Sequence, residues 1–122
     1  MTSERSLHLL VADDDPIQLR AAARLLKLLG HTGALANNGR TALNLLERQS
    51  FDAVMLDLRM PELDGLETLS RMRNGRHQQP VALISGDDLG SDWNFYRQAG
   101  ADAYLVKPLE LSDLRSLLQR WQ

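Results

Sequence analysis

Acidic and basic residues stand directly after short apolar runs at well-separated points of this chain. Asp13 and Asp14 follow the first run, Asp57 follows the third, and Lys107 follows the fifth. If these positions converge, the carboxylates repel one another unless a cation joins them. Carboxylate oxygens without histidine or cysteine suit a hard ion, Mg²⁺ or Mn²⁺. The pattern therefore predicts an acidic metal site that leaves one aspartate free for chemistry.

A lysine and a serine are candidates for holding an anion at the same place. Lys107 can pair with a carboxylate at rest and later hold a phosphoryl oxygen as a point charge. Pro108 follows it, and a cis bond there would fix the direction of the lysine side chain. The hydroxyl of Ser85 can donate to the same oxygen, and Gly86 leaves room beside it. Alone, such residues are more typical of a surface charge and a polar strand end, so the prediction depends on their convergence.

The segment after Asp57 has the composition of a tight turn that leads into a helix. Pro61 and the pair Asp64-Gly65 occupy positions that such turns favour. We interpret this loop as structural. It would position Asp57 and present a backbone carbonyl to the metal.

Five apolar runs alternate with five segments of helical spacing, and this alternation supplies the elements that must position these residues. The runs are short and rich in Val, Leu and Ile, which is typical of buried strands; they span residues 7–12, 32–36, 53–56, 81–84 and 103–106. The alternation predicts an α/β fold with a parallel sheet and helices on both faces. Such folds bind ligands at the carboxyl ends of their strands, which is where four of the five runs carry the residues above.

Capping signals place the helices between these runs. Asp15 and Pro16 predict the start of the first helix, and Gly30 predicts its end. Its apolar face would use Ile17, Ala21, Leu25, Leu28 and Leu29. The later helices are expected after Gly39, over residues 66–72, over residues 92–98, and after Leu111 with Ser112 as a cap.

Composition limits the class of protein. The 122 residues suit a single domain spanning 1–122, without an effector domain. The absence of cysteine excludes disulfides, thiolate metal sites and cysteine nucleophiles. A net charge of −2 argues against a surface for nucleic acid or an anionic membrane. No apolar run is long enough to span a bilayer and the N-terminus has no signal core, so we expect a cytoplasmic protein.

Taken together, these motifs resemble the response-regulator receiver domain of two-component signalling. The resemblance covers about residues 8–118 and is carried by Asp13-Asp14, Asp57, Met60-Pro61, Asp64-Gly65, Ser85 and Lys107-Pro108. It implies a flavodoxin-like, CheY-like (βα)5 fold with strand order 2-1-3-4-5. It also implies a signalling switch that catalyses only its own phosphorylation and slow dephosphorylation.

The resemblance implies a role for each site residue. Asp57 would take a phosphoryl group from a histidine kinase or a histidine phosphotransfer protein. Asp14 and Asp57 would bind Mg²⁺ directly together with the backbone carbonyl of Arg59, and Asp13 would act through a metal-bound water. Lys107 would bridge to the phosphoryl group.

The resemblance also implies a switch. Ser85 would move onto the phosphoryl group, and Tyr104 would swing inward as it moves. The face formed by the fourth helix, the fifth strand and the fifth helix would then shift and control a downstream protein or a fused output domain.

Several residues depart from the family pattern. Gly86 stands where receivers commonly have alanine, and we hypothesise that Arg59 pairs with Asp87 to screen the phosphoryl group from water. Trp93 and Phe95 begin the fourth helical segment. We predict that Phe95 belongs to an aromatic core or rim cluster, and leave open whether Trp93 does so or anchors a partner.

Two other functions compete with the switch. A Mg²⁺-dependent phosphatase with an aspartyl nucleophile would more often have Asp-x-Asp after its first strand. A docking receiver that works without phosphorylation would be expected to have lost one of the key residues. The chain could act alone or belong to a longer regulator or hybrid kinase. His8, His31 and His77 are interpreted as structural or surface residues.

Overall fold

The computed structural model describes residues 5–122 and contains five strands and five α-helices in alternation. The strands are β1 (His8–Ala12), β2 (Thr32–Ala36), β3 (Ala53–Asp57), β4 (Val81–Ser85) and β5 (Ala103–Val106). The helices are α1 (Pro16–Leu28), α2 (Gly39–Arg48), α3 (Gly65–Asn74), α4 (Trp93–Gln98) and α5 (Leu111–Trp121), and a 3-10 turn at Gly90–Asp92 precedes α4.

The strands form one parallel sheet in the order β2-β1-β3-β4-β5. This confirms the predicted fold class and strand order. The chain winds outward in both directions from β1 and β3, so the switch in direction lies between these two strands. Their register pairs Ala12 with Leu56, which brings the residues that follow the two strands to the same edge.

The sheet is covered on both faces because its strands alternate their side chains between two apolar clusters. Leu9 and Val11 contribute to the cluster beneath α1 and α5, whereas Leu10 and Ala12 contribute to the cluster beneath α2 and α3. All five positions of β3 and all five of β4 are buried. The central strands are therefore fixed from both sides, as parallel sheets require.

The predicted apolar face of α1 is wrong in part. Ile17 and Leu28 are 74% and 67% exposed, and the residues that α1 buries are Leu19, Ala22 and Leu26. Two interleaved stripes of apolar residues on this helix both satisfy helical spacing. Only packing against the sheet selects between them.

Three predicted boundaries also differ from the structure. Asp57 is the last residue of β3 and Ser85 the last residue of β4, so both belong to the strands that we expected them to follow. Helix α5 begins at Leu111 with Glu110 at its N-cap position, so Ser112 lies inside the helix and is not its cap. Within residues 5–122, no helix is long and apolar enough to cross a membrane.

Candidate functional site

Three carboxylates meet at the carboxyl edge of the sheet. Asp13 and Asp14 follow β1, and Asp57 ends β3. One carboxylate oxygen from each residue lies within 4.8 Å of the other two. Asp13 and Asp57 are 2% and 3% exposed, whereas Asp14 is open to solvent. The sequence-predicted acidic cluster is thus present, with one carboxylate at its mouth.

Lys107 lies against two of these carboxylates. Its Nζ is 2.9 Å from Oδ2 of Asp57 and 3.4 Å from Oδ2 of Asp13. The backbone N–H of Lys107 donates to the carbonyl of Ser85, which fixes the lysine to the end of the neighbouring strand. The bond between Lys107 and Pro108 is cis. The lysine is therefore held at the site by the backbone as well as by charge.

The cluster is electrostatically strained without a further cation. Burial raises the pKa of Asp13 to about 6, and the nearby Asp57 adds to this effect, while the N–H of Asp15 and the charge of Lys107 oppose it. Burial lowers the pKa of Lys107, but its hydrogen bonds and charge contacts with Asp57 and Asp13 together outweigh burial, and the net pKa is raised. The cluster thus holds three acids, and one lysine pairs with two of them.

These residues fit a divalent metal ion. Three carboxylates in reach of one another, two of them buried, make an oxygen-only donor set that suits Mg²⁺ and Mn²⁺. The backbone N–H of Arg59 donates to Oδ1 of Asp57 at 3.1 Å and orients that carboxylate from the other side.

The loop between β3 and α3 holds Asp57 in place through close packing. Asp64 caps α3 by accepting from the N–H of Glu67 at 2.8 Å. A Cβ on Gly65 would clash with the carbonyl oxygen of Asp57, so only glycine allows the loop to close this tightly on the strand. Pro61 lies exposed in the turn, and its carbonyl accepts from Leu63. These contacts support the structural role that we expected for Pro61 and Gly65.

Ser85 lies at the site, but its hydroxyl is engaged elsewhere. The side chain is 5% exposed at the end of β4. Its Oγ donates to the carbonyl of Asp87 and accepts from the N–H of the same residue. A Cβ on Gly86 would meet no atom within 4 Å, so lack of space does not explain the glycine here.

Tyr104 lies half-buried on β5 against the cluster beneath α2 and α3, and its hydroxyl points at the β4–α4 loop (residues 86–92). The hydroxyl donates to Oδ1 of Asp88 at 2.8 Å. The ring lies beside that of Trp93, with centroids 5.1 Å apart. The bond to Asp88 was not anticipated, because sixteen residues separate the partners and neither forms a motif with the other. The only signal in the sequence was the acidic pair after Gly86.

Arg59 and Asp87 line the same cleft without touching. The cleft has a volume of about 310 Å³ and runs between the β3–α3 loop and the β4–α4 loop. Within the described residues, these two side chains form no ion pair. The predicted pair is thus absent from the structure, although both residues border the cleft that opens beside Ser85.

The aromatic residues of α4 divide between an exposed rim and a partly buried cluster. Phe95 is 60% exposed and is not a core residue, but its ring meets that of Tyr96 edge-on, with centroids 5.3 Å apart, as the rim of an aromatic cluster would. Trp93 and Tyr96 instead pack partly buried against the cluster beneath α2 and α3. The helix is short, and spacing alone did not show which side would face the sheet.

The three histidines lie away from the acidic cluster. His31 is buried and its Nδ1 accepts from the N–H of Leu7. His8 stacks on Phe51 with ring centroids 4.9 Å apart, and His77 contacts Glu47 at the surface. These contacts agree with the structural and surface roles that were predicted.

Comparisons with known proteins identify the same family. Residues 9–119 match the response regulator receiver domain family. Response regulator MprA from Mycolicibacterium vanbaalenii is 38% identical over 118 residues, which cover 93% of this chain. The chain spans about half of that relative, 51% of its length.

Two solved receiver domains share the fold and the length of this chain. The receiver domain of a Francisella response regulator has a TM-score of 0.89 at 28% identity, over 95% of this chain and 96% of that one. The receiver domain of a Pseudomonas aeruginosa sensor histidine kinase has a TM-score of 0.83 at 32% identity, over 96% and 98% of the two chains. That structure has a magnesium ion coordinated in its active-site cleft. The chain described here therefore belongs to the response regulator receiver domain family.

Proposed function

We propose that this receiver domain is a phosphoacceptor switch that takes a phosphoryl group onto Asp57 from a histidine kinase or a histidine phosphotransfer protein. One observation carries the proposal. The Asp57 carboxylate ends a fully buried strand and is held from two sides, by Lys107 at 2.9 Å and by the N–H of Arg59 at 3.1 Å. It is thereby positioned as a nucleophile at the edge of the sheet where such folds bind ligands.

The reaction needs little covalent help beyond position and charge. A carboxylate oxygen of Asp57 attacks the phosphorus of a phosphohistidine, the P–N bond breaks, and the imidazole leaves with its electron pair and takes a proton. The charge of Lys107 already lies at the attacking group and is expected to follow the phosphoryl oxygens. In such reactions rate depends mainly on positioning and on neutralising charge.

Mg²⁺ is the metal that we propose for this site. Asp14 and Asp57 would hold it directly with the backbone carbonyl of Arg59, and Asp13 would act through a bound water. When bound, the ion neutralises charge on the transferring group. Mn²⁺ offers the same preference for oxygen ligands and is the alternative ion.

The output is proposed to arise at the face formed by α4, β5 and α5. Phosphorylation replaces the single negative charge of the Asp57 carboxylate, now paired with Lys107, by roughly −2 on the phosphoryl group. Ser85 would leave the carbonyl of Asp87 to meet the new oxygens, and Tyr104 would follow. Phe95 and Val106 are exposed on this side of the molecule and are available to a downstream protein or a fused output domain.

Intact mass spectrometry after incubation with phosphoramidate, quenched in acid, tests the phosphoacceptor. We expect one phosphoryl group per chain in the presence of Mg²⁺, almost none with EDTA, and none in Asp57→Asn. Asp52→Asn is the matched control, because Asp52 lies at the opposite edge of the sheet and binds the N–H of His8.

Three outcomes would contradict the proposal. Equal uptake by Asp57→Asn would place the phosphoryl group elsewhere. Continuous release of phosphate from a small ester, at many turnovers per chain, would indicate a phosphatase. A wild-type chain that binds Mg²⁺ but takes up no phosphoryl group would instead be a docking module.

A further inference from the structure

Two adjacent aspartates restrain the β4–α4 loop through hydrogen bonds, Asp87 to the end of β4 and Asp88 to β5. The backbone of Asp87 exchanges two hydrogen bonds with the hydroxyl of Ser85. The Oδ1 atom of Asp88 accepts from the Tyr104 hydroxyl at 2.8 Å and from the N–H of Gly90 at 3.0 Å. The loop is thus closed on itself at one residue and fastened to β5 at the next.

The fastening to β5 uses an ionised carboxylate. The N–H of Gly90 and then the Tyr104 hydroxyl lower the pKa of Asp88, and Asp88 in turn raises the pKa of Tyr104. A hydroxyl that donates to a charged oxygen makes a stronger bond than one that donates to a neutral oxygen. Asp88 therefore favours the outward position of Tyr104 found here.

The backbone around this bond leaves the loop as the part that can move. Leu83 pairs with Tyr104, and Ser85 pairs with Val106, in the β4–β5 register. The sheet edge is therefore fixed, and a shift of the Ser85 hydroxyl must be accommodated by the residues after it. Gly86, Asp87 and Asp88 are all exposed, so burial does little to hold them and the hydrogen bonds described above hold them instead. The bonds of Asp88 are then a main restraint on the loop.

We propose that Asp88 is a positioning residue that holds Tyr104 and the β4–α4 loop in the resting arrangement and so opposes capture of the phosphoryl group by Ser85. The inference rests on the proposed function. It goes beyond that function by naming an inhibitory contact within this loop. Because the ring of Trp93 lies on that of Tyr104, releasing the bond also frees the start of α4.

The proposal makes a reciprocal prediction. A bond made only in the resting state is lost on activation. Removing it therefore shifts the equilibrium toward the active state by a factor that the free energy of the lost bond sets. Loss of one solvent-accessible hydrogen bond is expected to lower the activating concentration of a phosphoryl mimic about threefold to tenfold. The effect should appear in binding of the mimic, and the unliganded protein should lose stability by the same small factor, because the bond stabilises its folded resting state.

The fluorescence of Trp93 provides the readout, in a Trp121→Phe background that removes the other tryptophan. Beryllium fluoride with Mg²⁺ is titrated into wild type, Asp88→Ala, Asp88→Asn, Tyr104→Phe and the double variant Asp88→Ala/Tyr104→Phe. Asp92→Ala is the matched control, since Asp92 lines the same cleft but makes no side-chain bond to cap the helix. Urea unfolding of each variant shows that it is folded.

We expect Asp88→Ala and Tyr104→Phe to lower the half-saturating concentration equally, and the double variant to add nothing. Asp88→Asn should have a smaller effect, because its amide oxygen still accepts from Gly90. In the resting protein, ¹⁹F spectra of fluorotyrosine should show the Tyr104 signal shifted and narrowed in Asp88→Ala.

Each contrary result has a distinct meaning. If wild type responds to beryllium fluoride and Asp88→Ala responds at the same concentration, the inference is overturned while the proposed function stands. Additive effects of Asp88→Ala and Tyr104→Phe overturn it as well, since they show that the two residues act separately. A wild type that neither responds nor takes up phosphoryl groups overturns the proposed function and the inference together.

Discussion

The two sides of the carboxyl edge are built differently. On one side, β3 and β4 are buried at every position and carry Asp57 and Ser85 at their ends. On the other side, only Ala103 is buried among the four residues of β5. The structure describes all six residues of α4, and none of them is buried. Asp57 thus lies on one of the two fully buried strands of the sheet, and Tyr104 and the aromatic residues of α4 lie on more exposed elements.

Under the proposed function, this contrast separates the chemistry from the response. A nucleophile must be held still, and burial from both faces would do this for Asp57. A surface that changes position must be held by few contacts, and low local stability is typical of elements that move. In this chain the bond between Asp88 and Tyr104 restrains the exposed side, formed by β5 and α4. The ion pair between Lys107 and Asp57 joins that side to the buried side, formed by β3 and β4.

The contrast would be sharpened most by truncating one apolar side chain on each side. Leu83 lies fully buried in β4, and Leu83→Ala is expected to lower the free energy of unfolding by about 2–5 kcal/mol, through lost burial and the cavity left behind. Phe95→Ala on the exposed side of α4 should change it by less than about 0.5 kcal/mol. Urea unfolding measures both, and equal losses would remove the contrast.

The link between the two sides is tested next by Lys107→Ala. Removing a positioned cation from a phosphoryl-transfer site is expected to slow uptake of the phosphoryl group by about 10²-fold. Lys27, the chain's other lysine, lies exposed on α1, and Lys27→Ala should leave the rate unchanged. Timed intact-mass measurements with phosphoramidate give the rates. Comparable rates for the two variants would show that the ion pair has only a structural role.

The protein should be less stable at neutral pH than the packing of its core suggests, because the acidic cluster buries like charges. The pKa of Asp13 is raised from 3.8 to about 6, so the folded state binds this proton more tightly than the unfolded chain does. Stability is therefore lost as pH rises from about 4 to about 6, and the full penalty is present above that range.

Asp13→Asn removes this penalty and keeps an oxygen that can accept from the N–H of Asp15. We expect it to stabilise the metal-free protein at about pH 7.5 by roughly 1–2 kcal/mol, and to give no gain at about pH 3.5. Added Mg²⁺ should narrow the difference, since the ion stabilises the wild-type site by binding it. Urea unfolding in EDTA and in Mg²⁺ at the two pH values is the measurement. A gain of the same size at both pH values would argue against buried charge as the cause.

The smallest expected effect concerns the cleft between the two sides. Arg59→Glu is expected to speed loss of the phosphoryl group about twofold to fivefold, in keeping with the small energies of exposed ion pairs. The physical reason is that Arg59 and Asp87 would pair across the cleft once the loops close. The charge swap Arg59→Glu with Asp87→Arg should restore the wild-type rate, measured by decay of the phosphorylated mass. An unchanged rate in Arg59→Glu would remove the proposed pair.

Local sequence signals predicted much of the site because each one depends on few neighbours. Asp15 accepts from the N–H of Ile17, as a cap must, and the cap forms within the segment that encodes it. The turn residues Asp64-Gly65 likewise act where they stand. Strand alternation placed Asp57 and Lys107 at one edge of a parallel sheet, because parallel strands all end on the same side.

Contacts that depend on relative rotation or on distant partners were not predictable in this way. Ile17 and Leu28 lie on a stripe of α1 that spacing favoured as strongly as the buried one, and spacing did not show that Phe95 would stay on the exposed rim of its aromatic cluster. The bond between Asp88 and Tyr104 joins residues whose types alone specify no partner. Each of these depends on which side of an element meets the sheet.

The sequence by itself determined the order of the elements, the edge where they place their acids, and the identity of the lysine that faces them. These features follow from periodicity and from the single direction of a parallel sheet. Only the tertiary structure decided how deeply each carboxylate is buried, which atom Ser85 and Tyr104 bind at rest, and which side of α4 stays open. Those outcomes depend on packing between elements far apart in the chain, where small rotations decide which side chains meet.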